Sequence, residues 1–167
     1  MTHPDILHET ERFVFFWKPP APYSQWTMSR FTVDGVSYTC AEQFMMAEKA
    51  RLFQDDAVRR QILATADPRQ QRKLGRKVRG FVETVWVAQR EDVVYRASLA
   101  KFRQNNTLRA ALLGTGDLIL VEASPYDRIW GIGLHSVDPR AEDPAQWQGL
   151  NLLGKTLMRA RATLRNP

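Results

Sequence analysis

The sequence is poor in the residues that crosslink proteins and bind metals. Its 167 residues include one cysteine, Cys40, and three scattered histidines. A single cysteine excludes an internal disulfide, and the histidines form no spacing typical of metal ligands. We therefore expect no disulfide, no structural metal and no cofactor.

Long apolar runs and low-complexity segments are also absent. Every apolar run is far too short to span a bilayer, and the first residues, MTHPDILHETER, carry acids where a signal peptide has a basic region. These features predict a cytoplasmic protein that does not engage a membrane. The hydrophobic content of 44 % and the aromatic content of 10 % are typical of a globular chain, and 167 residues are enough for one domain.

Acidic residues are missing from segment 69–79, and removing this segment leaves the rest of the chain, whose net charge is +6, near neutrality. The segment holds six basic residues, Arg69, Arg72, Lys73, Arg76, Lys77 and Arg79. Its four arginines follow a helical stripe, which favours phosphate contacts with DNA or RNA, although a solvated helix face has the same pattern. Gly75 costs a helix about 1 kcal/mol relative to alanine, so it predicts a close backbone contact or a break before Arg76.

The hydrophobic pattern predicts a mainly α-helical fold with a small β component. Residues 13–17 are typical of a strand, residues 31–38 of a hairpin that turns at Asp34-Gly35, and residues 118–122 of a short buried strand. Helices are predicted at residues 39–51, 55–64, 67–80, 83–104, 107–113 and 150–164, the last with Leu150 facing inward. Residues 136–147 are expected to be a loop. Residues 1–11 are expected to be a loose lead-in, and residues 12–165 a single compact domain.

The helix predicted at residues 39–51, TCAEQFMMAEKAR, places two ionisable groups in an apolar run. Thr39 is the expected N-cap, and Gln43 follows at roughly capping-box distance. Helical spacing puts Glu42 and Lys49 on the same side, about two turns or roughly 10 Å apart. Their side chains can converge on one small ligand, or each can reach water from an end of a core helix.

Residues 124–134, SPYDRIWGIGL, form a second unusual stretch after a short apolar strand. Gly131 and Gly133 permit a close backbone approach. Trp130 offers a stacking face, and Asp127 can accept a hydrogen bond from a hydroxyl or a base edge. The same residues also fit a tight turn, with Trp130 in the core and Asp127 either paired with Arg128 or capping a helix.

Five blocks of the sequence resemble, in order, the NADAR or YbiA-like superfamily. They are FTVDGVSYTCAEQFMMAEKA at 31–50, the Gly75-Arg76 pair, KFRQNNTLRAALLGTGD at 101–117, LVEASPYDRIWGIGL at 120–134 and WQGLNLLGKTLMRAR at 147–161. The resemblance extends over residues 13–164. It implies a compact, mostly helical fold with a small β component, and an N-glycosidase that acts on ribosylated bases.

The resemblance also assigns roles to individual residues. The implied catalytic residues are Lys49, Glu42 and Asp127. The implied substrate-binding residues are Trp86, Trp130, Ser24, Gln25, Gln43, Arg76, Gly131 and Asn151. This chain departs from many members in carrying Tyr-Ser-Gln-Trp at 23–26 in place of Phe-Ser-Asn-Phe, and Gln43 in place of histidine. From spacing alone, an aromatic residue such as Trp86 is more often a core residue than a stacking platform.

The implied reaction cleaves the bond between a ribose C1 and a base nitrogen. Lys49, if burial lowers its pKa, can attack C1 as a neutral amine and hold the ribose as a Schiff base. Glu42 is then the group that transfers a proton, and Asp127 the group that orients the ribose hydroxyls or the base. The alternative is direct attack by water, with Lys49 pairing a carboxylate or phosphate.

Two substrate classes follow from the resemblance. One is ADP-ribose attached to guanine, and the other is a phosphoribosylamino-pyrimidine intermediate of riboflavin synthesis. Six clustered basic residues exceed what one phosphate needs, so the charge pattern favours guanine in DNA or RNA. A non-catalytic module that binds ADP-ribose or a nucleotide is a third possibility. The presence of both Glu42 and Lys49 favours the enzyme, because a pure binder has little use for both.

Overall fold

A computed structural model of the chain describes residues 3–166. These residues divide into two compact units. The inserted unit comprises Met28–Asn105, and the terminal unit comprises the described residues before and after it. No helix in the described chain is long and apolar enough to cross a membrane.

The fold is mainly α-helical with two small sheets, which confirms the predicted class. Within residues 3–166 the strands are β1 Leu7–Glu9, β2 Phe13–Phe16, β3 Phe31–Val33, β4 Val36–Tyr38 and β5 Ile119–Glu122. The helices are α1 Ala41–Leu52, α2 Asp56–Leu63, α3 Pro68–Gly75, α4 Glu83–Gln104, α5 Asn106–Gly114 and α6 Leu152–Arg165. Two short 3-10 helices, Pro139–Glu142 and Pro144–Gln146, occupy the segment that was expected to be a loop.

The terminal unit contains a three-stranded sheet in the order β1-β2-β5. β2 pairs antiparallel with β1 and parallel with β5, with Phe13 opposite Ile119. All four residues of β2 are buried, which explains why this strand is an unbroken apolar run rather than an alternating one. α6 packs against β5, and its inward leucines, as predicted, include Leu153, Leu157 and Leu164.

The terminal unit differs from the prediction at two places. The segment expected to be a loose lead-in contains β1, whose His8 and Glu9 are exposed, so no apolar alternation reveals this edge strand. Met1 and Thr2, also in that segment, lie outside the described residues. Leu150 is 50 % exposed rather than inward. The reason is that α6 begins only at Leu152, after Asn151 in the left-handed conformation with φ of +52°.

α1 is the central helix of the inserted unit, because α2, α3 and α4 all pack against it. Residues 41–50 are buried except for Lys49, which is half-buried. A helix enclosed on nearly all sides needs no polar face, and this explains the absence of an amphipathic stripe in α1. β3 and β4 form the predicted hairpin, with positive φ angles of +49° at Asp34 and +76° at Gly35.

α3 ends at Gly75, about five residues earlier than predicted. A Cβ atom at Gly75 would collide with the side chain of Met46, so glycine allows α3 to approach α1 closely. The close contact and the helix break expected at Gly75 are therefore both present. Arg79 lies beyond the helix, so the predicted stripe of four arginines is wrong in its last member. The backbone N–H and the guanidinium of Arg79 instead donate to Asp55, the N-cap of α2, at 2.9–3.1 Å.

Candidate active site

Two ionisable residues lie on one side of α1. Glu42 is in the first turn and is 4 % exposed, whereas Lys49 is in the last turn and half-buried. The N-cap of the helix is Cys40, which corrects the prediction of Thr39. In the inserted unit, α1 thus carries a buried carboxyl group and a half-buried amine that are about two helical turns apart.

Gln43 is hydrogen-bonded through its whole side-chain amide. Oε1 accepts hydrogen bonds from the backbone N–H and the hydroxyl of Thr39 at 2.7 and 3.1 Å. Nε2 donates to the carbonyl oxygens of Ile62 and Thr65 at 3.1 and 3.0 Å. Two lone pairs and two hydrogens are the capacity of an amide. Gln43 therefore ties the start of α1 to the end of α2, and no group of its amide remains for the predicted substrate contact.

The ammonium group of Lys49 faces two aromatic rings. Nζ lies 4.5 Å from the ring centre of Phe81 and 5.8 Å from that of Trp86. Phe81 is in turn held edge-on against Phe53, with ring centres 5.3 Å apart. These rings attract the cation electrostatically and also shield it from water. The arrangement gives Lys49 an apolar, ordered environment in the inserted unit.

Burial lowers the pKa of Lys49, and the nearby Arg76 lowers it further, while the carboxyl group of Glu42 acts in the opposite direction. The net effect is a pKa below the usual value of a lysine. A lowered pKa raises the fraction of neutral amine at a given pH, and the neutral amine is the nucleophilic form. The charges of Glu42 and Arg76 both act on the pKa of Lys49, so these three residues share one electrostatic environment.

Trp86 and Phe81 flank the beginning of α4. Trp86 is half-buried, so it is not a core residue of this helix, and Phe81 is 43 % exposed just before it. Phe81 is not identifiable as a site residue from the sequence. It stands between Gly80 and α4, outside any helical period, and only its aromatic side chain beside the basic segment could have indicated a role.

The loop of residues 124–134 is organised by Asp127 in the terminal unit. Its Oδ1 accepts hydrogen bonds from the backbone N–H groups of Ile129 and Trp130 at 2.9 and 2.8 Å, and its carbonyl oxygen accepts one from Gly133 at 3.1 Å. Arg128 donates to Gln148 at 3.4 Å rather than to Asp127. Asp127 thus forms the turn with one carboxylate oxygen, and Oδ2 has no hydrogen bond within the described chain.

Gly131 and Asn151 bring two backbone segments together. A Cβ atom at Gly131 would lie 2.9 Å from the carbonyl oxygens of both Asp127 and Glu122, so only glycine fits there. The amide of Asn151 accepts from the backbone N–H of Glu122 at 3.1 Å and donates to the carbonyl of Leu120 at 3.0 Å. Its own backbone N–H donates to Gly131 at 3.1 Å. Both residues therefore support the loop against β5.

Ser24 and Gln25 are buried residues of the terminal unit, 4 % and 8 % exposed. The Ser24 hydroxyl accepts a hydrogen bond from the backbone N–H of Trp26 at 3.3 Å. Trp130 is half-buried, and its carbonyl oxygen accepts a hydrogen bond from Leu153 at 3.1 Å. The predicted residues therefore form two sets. Those of the inserted unit are Glu42, Gln43, Lys49, Arg76 and Trp86, and those of the terminal unit are Ser24, Gln25, Asp127, Trp130, Gly131 and Asn151.

Comparison with known proteins finds a family model, NADAR domain, that matches residues 15–165. Protein irg-1 of Caenorhabditis elegans is 38 % identical over 93 % of this chain and 81 % of its own length. N-glycosidase R617 of Acanthamoeba polyphaga mimivirus is 40 % identical over 92 % of this chain and 96 % of its own length. The NMR structure of the Escherichia coli protein YbiA is similar with a TM-score of 0.76 and 27 % identity, over 95 % of this chain and 88 % of that one.

Proposed function

The chain belongs to the NADAR family, and from this premise we propose that it is an N-glycosidase that removes ADP-ribose from guanine in nucleic acid. The observation that carries the proposal is the environment of Lys49. Its amine has a lowered pKa, lies beneath two aromatic rings, and shares one side of α1 with a buried carboxyl group. An amine prepared as a nucleophile beside a potential proton donor suits the cleavage of a glycosidic bond.

In the proposed reaction the neutral Nζ of Lys49 forms a bond to C1 of the ribose while the bond between C1 and the guanine nitrogen breaks. Glu42 gives a proton to the departing base. The ribose ring then opens, the Lys49 nitrogen passes a proton to the ring oxygen, and a Schiff base forms. Water then adds to C1 and displaces Lys49 as a neutral amine, and the proton that this step releases returns to Glu42. The net reaction consumes one water molecule and yields the base and ADP-ribose.

The choice of a nucleic-acid substrate is supported by the basic segment. Arg69, Arg72, Lys73, Arg76 and Lys77 are exposed, and none of these five forms an ion pair within residues 3–166. Arg76, at the end of α3, is close enough to Lys49 to lower its pKa. A line of unpaired cations that begins beside the reactive amine suits a diphosphate followed by a phosphate backbone.

One observation favours a second substrate class, a small phosphoribosylated aminopyrimidine. Arg79 is bound to Asp55 through its guanidinium, so one of the six basic residues is already committed to a carboxylate. A single phosphate needs only one or two cations, and Arg76 alone can meet that requirement.

The reaction is tested by measuring base release from an oligonucleotide that carries ADP-ribosylated guanine and from a phosphoribosylated aminopyrimidine. We expect Lys49→Ala and Glu42→Gln each to lose roughly 10²- to 10⁴-fold in kcat, the usual contribution of one acid-base or nucleophilic group. Lys155→Ala, which changes an exposed lysine of α6, is the matched control and should keep the wild-type rate. A loss of less than about tenfold in both active-site variants would contradict the catalytic roles assigned to Lys49 and Glu42.

The covalent step is tested separately by borohydride trapping during turnover. We expect an adduct that depends on substrate, is present in the wild type and in Lys155→Ala, and is absent in Lys49→Ala. Base release without any trapped adduct in the wild type would instead support direct attack by water. Binding of ADP-ribose without base release from either substrate would show a binding module rather than an enzyme.

A further inference from the structure

One pocket of the inserted unit lies away from Lys49. Its volume is about 410 Å³, and its lining includes Tyr38, Phe44, Glu48, Arg51, Arg59 and Arg96. Phe44 and Arg51 are two residues further along α1 than Glu42 and Lys49, which rotates each of them by about 200° around the helix. The pocket therefore lies on the opposite side of α1 from the candidate active site.

One wall of the pocket is organised around the buried carboxylate of Glu48. Arg51 donates to it through Nε and Nη2 at 2.9–3.1 Å, and Arg96 donates through Nη2 at 3.0 Å. Burial raises the pKa of Glu48, but the hydrogen bonds and charges of the two arginines outweigh burial and hold it below its usual value. Arg96 also packs over the ring of Phe44, 5.5 Å from its centre. Two guanidinium groups are thus held in place by one shared carboxylate.

Arg59 supplies a third cation, and it differs from the other two. It forms no salt bridge within the described residues, and its guanidinium is hydrogen-bonded to the hydroxyl of Tyr38 rather than to a carboxylate. The lining holds three cations and two carboxylates, those of Glu48 and Asp34, so it carries one net positive charge. Because no carboxylate within the described residues pairs with Arg59, an anionic ligand would supply the missing counter-charge.

The remaining wall is apolar. Val33 and Val36 of the β3-β4 hairpin line it, together with the ring of Phe44. A simple inorganic ion would leave this wall in contact with water. An organic anion would place its charged group on the arginines and its carbon skeleton on the valines. The volume falls in the range of about 300 to 1,000 Å³ that is typical of small-molecule sites.

We propose that this pocket binds a small organic phosphomonoester of about mononucleotide size, with its phosphate on Arg51, Arg59 and Arg96. A phosphate group accepts hydrogen bonds at three oxygens, whereas a carboxylate has two, and guanidinium groups match phosphate geometry well. The site is independent of the proposed glycosidase activity, because none of its residues belongs to the Lys49 set.

The test is isothermal titration of the full chain with adenosine 5′-monophosphate. We expect Arg59→Gln to weaken binding by about tenfold or more, since hydrogen bonds to charged groups contribute about that much. Arg60→Gln changes the exposed neighbour of Arg59 on α2 and should leave the affinity unchanged. Adenosine, which lacks the phosphate, should not bind in a way that depends on Arg59. Equal affinity of wild type and Arg59→Gln would overturn the proposal.

Two further measurements distinguish this pocket from a phosphate site beside Lys49 and from a site for a phosphodiester. If Arg76→Gln abolishes binding and Arg59→Gln does not, the phosphate sits beside Lys49 and the proposal fails. An oligonucleotide without a terminal phosphate should not displace the mononucleotide, and displacement would show that a phosphodiester is the ligand instead. Should Arg59→Gln fail to fold, Val36→Trp fills the pocket from the hairpin side. It should cause the same loss, and unaltered binding in that variant would overturn the proposal.

Discussion

Several neighbouring groups change the pKa of Lys49, and they act in opposite directions. Burial and Arg76 lower its pKa, whereas Glu42 raises it. The rings of Phe81 and Trp86 also attract the charged form. Because these influences come from separate residues, each can be removed by one substitution. The pH dependence of the reaction therefore provides a measure of the site that is independent of its absolute rate.

The first residue-scale prediction concerns the pH dependence of kcat. Because Lys49 must be neutral while Glu42 holds the proton that it donates, kcat should depend on pH with two limbs, one of them set by the pKa of Lys49. Arg76→Gln removes a cation that lowers this pKa, so the limb set by Lys49 should move to higher pH, and Glu42→Gln should move it to lower pH in any residual activity. The measurement is kcat at saturating substrate over a pH series. Arg72→Gln, an exposed change one turn earlier, is the control, and an unmoved limb in Arg76→Gln would contradict the assignment.

A second residue-scale prediction separates the two roles of Asp127. Asp127→Asn retains an oxygen at Oδ1 to accept from Ile129 and Trp130, so the turn and the Tm should be preserved. The variant lacks the negative charge, and we expect at least a tenfold loss of kcat/KM if the carboxylate contacts the substrate. Asp127→Ala should lower both the Tm and the activity. Full activity in Asp127→Asn would mean that the residue only forms the turn.

At the scale of elements, one carboxylate joins the start of α2 to the segment after α3. Asp55 accepts from the backbone N–H of Val58 as an N-cap, and from the backbone and the guanidinium of Arg79. The side-chain and backbone hydrogen bonds of Arg79 hold the pKa of Asp55 well below its usual value of 3.8. The contact explains why α3 is not followed by a continuing helix, since the Arg79 side chain turns toward α2 instead.

This contact predicts a pH-dependent contribution to stability. Because the folded-state pKa of Asp55 is depressed, its contribution is complete above the unfolded value near 3.8 and is lost as the pH falls toward the folded value. Asp55→Asn should lower the Tm at neutral pH by roughly 2 to 4 °C, because asparagine still caps α2 but loses the charged oxygen that accepts two hydrogen bonds from Arg79. The difference from wild type should narrow at acidic pH. Asp56→Asn, the exposed neighbour, is the control, and a gap that stays constant from neutral to acidic pH would contradict the account.

At the scale of the whole molecule, charge is distributed unevenly. The chain has a net charge of +6, and the basic segment contributes as many positive charges as the entire excess. In the structure five of its six basic residues are exposed and unpaired within the described part of the chain, and the sixth, Arg79, is bound to Asp55. The field of the molecule is therefore concentrated near α3, where it would attract a polyanion.

The whole-molecule prediction is a strong dependence of oligonucleotide processing on salt. A triple variant, Arg69→Ala, Arg72→Ala and Lys73→Ala, should reduce the slope of log(kcat/KM) against log[salt] by about 2 to 3, because each lost phosphate contact removes close to one released counterion. Arg79 is left unchanged because its removal would expose Asp55. A second triple variant, Arg30→Ala, Arg103→Ala and Lys155→Ala, controls for the loss of three positive charges elsewhere on the surface. Equal slopes in the triple variant and wild type would favour the small-metabolite substrate.

Much of this architecture is predictable from local signals. α4 occupies residues 83–104 as predicted, α2 starts after its Asp55 cap, and the β3-β4 hairpin turns at Asp34-Gly35. Caps, turn residues and helical periods act over a few neighbouring residues, so their signals survive in the sequence. The pairing of Glu42 with Lys49 on one side of α1 is of the same kind, because it depends only on helical spacing.

The surroundings of those residues depend on contacts between distant parts of the chain. Phe81 reaches Lys49 from 32 positions away, Arg79 reaches Asp55 from 24, and the amide of Gln43 finds Ile62 and Thr65. Neither a helix cap nor a hydrophobic period specifies such partners, because these residues meet only after α2, α3 and α4 have packed around α1. Burial and neighbouring charge, which together lower the pKa of Lys49, arise from that packing. The position of the amine is therefore a property of one helix, and its chemical character is a property of the folded unit.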